Sequence, residues 1–132
     1  MTLTPGLTGH ATTTVDNTNT AASLGSGLVP VYGTPALVAL LELAAVHAVA
    51  NSLPPGSTSV GTHVDVRHLA ATPIGMRVRA QATLTAVEGR RLTFAVEACD
   101  EVERVGEGTH TRVSVDAERF MQRTETKVKR ET

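Results

Sequence analysis

The run YGTPALVALLELAAVHAVANSLPPG, from Tyr32 to Gly56, constrains the fold more than any other part of the chain. Thr34 stands where an N-cap belongs, and Pro35 fits the first helical position. Ala and Leu fill the interior as strong helix formers, and Asn51-Ser52 with Pro54-Pro55-Gly56 close it. The spacing predicts a helix over roughly 35–50. It is apolar nearly all round, which marks a buried helix rather than a surface one. The rest of the chain should therefore wrap around it. Glu42 and His47 interrupt the apolar run, which is also too short to span a bilayer.

The flanking segments read as strands. The Thr-rich stretch to about Ser26 predicts one strand, a turn at Asp16-Asn17 and a Gly/Ser loop from Leu24 to Gly27. After the helix, STSVGTHVDVRHL alternates, with Val60, Thr62, Val64, Val66 and His68 on the face toward the helix. Gly61, His63, Asp65 and Arg67 fall on the other. MRVRAQATLTAV groups Met76, Val78, Ala80, Ala82 and Leu84 against Arg77, Arg79 and Gln81. Glu88-Gly89 signals a hairpin, and RLTFAVEACD returns with Leu92, Phe94, Val96 and Ala98 together. A last strand follows in VGEGTHTRVSVD, and the charged segment from Ala117 reads as a short helix with a frayed end.

One helix covers five strands only if the sheet curls round it. The predicted class is α+β, the layout of the hot-dog fold, with a long central helix in a curved antiparallel sheet. A chain of 132 residues holds one such domain, placed at 1–120, with 121–132 as a charged tail. The open edge strand and helix flank predict pairing with a second copy.

Composition narrows the function classes. Tyr32, Phe94 and Phe120 are the only aromatic residues, too few for a platform that stacks single-stranded nucleic acid. Twelve basic against thirteen acidic residues leave a net charge of −1, without the basic excess of a duplex binder. The single cysteine, Cys99, forms no internal disulfide and reads as strand packing. The first ten residues lack a signal-peptide pattern, so a cytoplasmic protein that binds neither membrane nor nucleic acid is expected. Five scattered histidines without an i, i+4 pair or a Cys partner predict no metal site.

The chemistry concentrates on few residues. Glu42 sits among Leu40, Leu41, Leu43 and Ala44, where an ionised carboxylate is costly unless paired. It serves either a reaction or a solvated inter-subunit seam. His68 ends the valine face and is a candidate for reaching Glu42, or a satisfied core histidine. Thr34 caps the helix, or helps its free amides polarise a carbonyl. Gly61 marks a β-bulge or a close backbone approach. Arg112, with Arg67, Arg77 and Arg79, is a candidate for anionic phosphates or part of a solvated strand face.

The blocks VYGTPALVALLE, VGTHVDVRHLAATPIGMRV, VEGRRLTFAVEACDE and GEGTHTR, in that order, resemble the fluoroacetyl-CoA-thioesterase-like hot-dog family. The similarity runs from about Gly6 to Phe120. It implies a dimeric fold that hydrolyses acyl-CoA thioesters, with a Thr at the helix start, a Glu eight residues on and a His on the next strand. Thr34, Glu42 and His68 match that trio, and Gly61 matches a Gly whose amide lies near the substrate carbonyl. The fluoroacetate-specific enzyme carries a Phe-containing lid before the helix. The equivalent GSGLVPVYGT has none and offers only Leu28, Val31 and Tyr32 as bulky residues.

The expected function is therefore hydrolysis of a short-chain acyl-CoA to free acid and CoA at a dimer-interface site, in a homodimer or a tetramer. Thr34, Glu42 and His68 are the catalytic candidates, with Gly61, Tyr32 and Arg112 on the substrate. No cofactor is required, because CoA is part of the substrate. Glu42 acts either as base on water or as nucleophile. The alternatives are a non-catalytic acyl-CoA-binding or scaffolding module, and an acyl-CoA hydratase, whose usual Asp/His pair the sequence does not place.

Overall fold

A computed structural model describes residues 2–129. Strand β1 (Thr8–Thr14) leads through a four-residue helix α1 (Ala21–Leu24) to the long helix α2 (Thr34–Val49). Strands β2 (Ser57–His68), β3 (Arg77–Glu88), β4 (Arg91–Cys99) and β5 (Arg104–Asp116) follow, and α3 (Ala117–Lys129) ends the described chain. The five strands form one antiparallel sheet in the order β1-β3-β4-β5-β2. α2 packs on its concave face, the hot-dog arrangement.

The core follows from period two on the strands and from the nearly all-round apolar character of α2, interrupted by Glu42 and His47. Val78, Ala80, Ala82 and Leu84 of β3, with Leu92, Phe94, Val96 and Ala98 of β4, are buried against Leu37, Leu41, Ala44, Ala45 and Val49. Small residues set how closely helix and sheet approach. A Cβ on Gly9 would run into the α2 backbone at Ala44 and Ala48, so glycine there lets β1 lie directly on the helix.

Three details differ from the sequence reading. The N-cap of α2 is Gly33 and not Thr34, whose hydroxyl makes no cap bond and is free for another partner. The alternation assumed for β2 breaks at a β-bulge. The register against β5 shifts between Gly61 and His63, with Thr62 as the extra residue. Gly61 thus faces α2, not away from it, while Val66 and His68 beyond the bulge also turn inward. Cys99 lies exposed at the end of β4 rather than packed.

α3 has no buried residue and runs across the boundary placed at 120/121. The last three residues of the expected tail lie outside the described residues. Among the described residues no helix is long and apolar enough to cross a membrane.

Candidate functional site

Two groups of polar side chains lie along α2. At its first turn, Thr34 Oγ1 is 2.7 Å from His68 Nδ1, joining the helix start to the end of β2. Burial pushes the His68 pKa below its ordinary 6.5, with the Ala70 backbone opposing, so the neutral ring dominates at neutral pH. His68 Nε2 is buried without a hydrogen-bond partner. A cleft of about 380 Å³ opens beside this pair, lined by Val31, Tyr32, Leu69 and Ala70 together with Thr34 and His68.

Tyr32 is buried at the cleft, its hydroxyl donating to the Ala36 carbonyl at 3.1 Å. Desolvation pushes its pKa up to about 12. Tyr32 therefore offers a ring face and edge, not an acid. Leu28, of the loop before α2, points into solvent with 96% of its surface exposed.

Two turns further along α2, Glu42 enters a second cluster. Its Oε2 is 3.6 Å from Arg112 Nη1 and 3.8 Å from His110 Nε2, and its side chain is 38% exposed. Arg112 is not offered to solvent as a phosphate contact would be. Nε donates to Ser59 Oγ at 2.8 Å, Nη2 to the Ser59 carbonyl at 2.9 Å, and Nη1 lies 3.2 Å from His110 Nε2. Desolvation lowers the Arg112 pKa, with Glu42 opposing, yet a guanidinium remains charged at any ordinary pH. Gly61 closes the cluster: a Cβ there would come 2.5 Å from Glu42 Oε2.

The trio singled out from sequence is therefore not brought together within one chain. Thr34 and His68 touch; Glu42 stands eight residues on, about 12 Å along the helix axis. Instead Glu42 meets His110 and Arg112. His110 was not singled out from sequence, and what marks it becomes visible only once the partner strand is known. In the β4–β5 register Phe94 faces His110 and Leu92 faces Arg112, so a polar pair stands opposite core residues. His47, further along α2, bonds the His10 carbonyl at 2.7 Å. Among the described residues no three His, Cys, Asp or Glu side chains gather as metal ligands. A larger depression of about 470 Å³ on the outer sheet face is lined by ion-paired Arg104, Glu97 and Glu107, with neither Glu42 nor His68 or His110.

The histidines make stability pH-dependent. Burial is the largest cause of the lowered pKa of both His68 and His110. Between those lowered values and 6.5 the unfolded chain binds more protons than the folded one. Stability is therefore complete above about pH 6.5 and falls as pH drops through the folded values. Thermal unfolding followed from about pH 8 to pH 5 should show a level Tm that declines below about 6.5. A Tm unmoved at pH 5 would contradict this.

The chain is similar to known proteins along most of its length. Residues 15–118 match the family model described as fluoroacetyl-CoA-specific thioesterase. A fluoroacetyl-CoA thioesterase from Streptantibioticus cattleyicolor is 47% identical over 90 residues, which are 68% of this chain. The match spans 65% of that relative's length. Among solved structures, a threonine-to-alanine variant of the fluoroacetyl-CoA thioesterase with fluoroacetate superposes with a TM-score of 0.88 at 35% identity, covering 95% of this chain and 98% of that one. A phenylalanine-to-alanine variant with fluoroacetate and CoA gives 0.83 at 37%, covering 89% and 99%. A thioesterase superfamily member from Thermus thermophilus gives 0.86 at 31% identity, covering 97% of each chain.

Proposed function

Since this chain belongs to the fluoroacetyl-CoA-specific thioesterase family, we propose that it is an acyl-CoA thioesterase, releasing a short acid and CoA from a site completed by a second copy. One observation carries the second half of this reading. The Thr34–His68 pair and Glu42 stand at two different stations along α2, too far apart to act on one carbonyl within a chain.

The exposed β2 edge is where a second copy fits. Val64 of β2 is 41% exposed, with Leu43 of α2 and Leu69 beside β2 more open still. Unpaired strand edges flanked by apolar residues invite pairing. Antiparallel pairing of two β2 edges about a dyad runs the His68 end of one chain toward the Gly61 and Glu42 end of its partner. Each dimer then holds two composite sites.

In such a site the thioester carbonyl lies at the start of α2. The free amides of the first helical turn, Thr34 and the Gly61 backbone receive the negative charge that develops on its oxygen. Glu42 takes the proton of an attacking water, or attacks the carbonyl itself to give an anhydride that water opens. The carbon–sulfur bond breaks, and His68 relays the proton released by the water through Nε2 to the departing thiolate, returning to its neutral form. The cleft beside Tyr32 and Val31 suits a short acyl group. With no phenylalanine in the preceding loop, selectivity for the fluorinated acyl group is not part of the proposal. Arg112 serves the substrate through Glu42, not through the CoA phosphates.

Subunit complementation tests the composite site. Glu42→Ala and His68→Ala chains, each inactive alone, are co-expressed. A mixed dimer keeps one site with every group present, so about half of the wild-type turnover per dimer is expected. Mixed dimers as inactive as either parent would place the whole site within one chain.

A further inference from the structure

His110 is buried with 1% of its surface exposed and stacks on Phe94, ring centroids 6.2 Å apart at 30°. Its Nδ1 lies 2.7 Å from the His63 carbonyl, an atom that only accepts, so the ring proton sits on Nδ1. Nε2 is then a lone-pair acceptor, and it faces Arg112 Nη1, which only donates, at 3.2 Å. Together with the two Ser59 bonds, every nitrogen of the guanidinium is held, and Nη1 is fixed 3.6 Å from Glu42 Oε2. The groups facing the ring are the His63 carbonyl of β2, Glu42 of α2, Arg112 of β5 and Phe94 of β4.

We propose that His110 is a positioning residue: through its Nδ1–H tautomer it presents an acceptor that pins Arg112 against the Glu42 carboxylate. Burial and the neighbouring guanidinium both disfavour a charged ring, which keeps that acceptor in place at neutral pH. The inference rests on the reading of Glu42 as the reacting carboxylate. It adds a residue that never touches substrate, yet sets where the carboxylate points.

The substitutions separate the acceptor from mere packing. His110→Gln can place an amide oxygen near the Nε2 position and should stay within about threefold of wild-type kcat. His110→Phe preserves the stack but leaves Nη1 unheld, and kcat should fall on the order of tenfold with KM little changed. A Gln variant as impaired as Phe, or a Phe variant with wild-type kcat, would overturn the proposal. The wild-type protein supplies a readout that does not depend on the folding of any variant. Nitrogen-15 spectra of the imidazole should show His110 neutral and protonated at Nδ1 near pH 7. Protonation at Nε2 would overturn the proposal. Glu42→Ala in the same assay keeps the two failures distinct. If it hydrolyses acyl-CoA normally, the reading of Glu42 fails while the tautomer stands; if it is inactive and His110→Phe is normal, His110 alone is misassigned.

Discussion

Glu42→Ala is expected to reduce thiol release from acyl-CoA by on the order of a thousandfold, with the protein still folded. The carboxylate is an unusual presence on α2. Leu40 and Leu41 beside it are buried, and the helix has no polar face on which a Glu would merely be solvated. Arg112 and His110 are arranged around it, and both are held by hydrogen bonds that no core would need. Removing the carboxylate leaves the Arg112 charge without its opposite, which costs some stability. Circular dichroism and thermal unfolding on the same sample therefore accompany the assay. A well-folded Glu42→Ala protein with wild-type turnover would remove Glu42 from the mechanism.

Gly61→Ala carries the second large effect and involves no loss of a functional group. The added methyl would lie 2.5 Å from Glu42 Oε2, 3.2 Å from His110 Cε1 and 3.4 Å from Arg112 Nη1. The first approach is impossible, so the carboxylate must swing away. Being the end of a flexible side chain, it can do so at small cost in stability. A displacement of about 1 Å in a reacting group is worth roughly a hundredfold in rate. The expected outcome is a kcat near 1% of wild type, on the order implied by that displacement, with Tm lowered only slightly. Wild-type kcat in Gly61→Ala would show that Glu42 need not occupy the position seen here.

Much of the fold was legible because its pieces obey simple periods. The mainly apolar run Ala36–Val49 sufficed to place α2 in the core, and period two placed the inward faces of β3 and β4 correctly. Helix α1 was not legible: its four residues carry no periodicity, and its capping box through Thr20 and Ser23 lies in a segment rich in such residues. The face of Gly61 was misread for a definite reason. A bulge adds one residue and inverts every later side chain, and period two cannot detect it without the partner strand.

The Thr34–His68 contact was accessible from two segment ends, yet it needed the N-cap position to fall on Gly33, which leaves the Thr34 hydroxyl free. Arg112 looked like a surface cation because Arg usually is one. Its burial depends on Ser59, a residue 53 positions away whose hydroxyl and carbonyl take two of its donors. Such long-range satisfaction has no local signature. His110 escaped for the same reason, since its role rests on the His63 carbonyl exposed by the bulge region.

The most direct measurement is thiol release by the wild-type protein from a series of acyl-CoAs beginning at acetyl-CoA and lengthening stepwise. Multiple turnovers are expected, fastest on the short chains that fit beside Tyr32 and Val31. Folded protein that releases no CoA thiol from any chain length would contradict the assignment as a thioesterase.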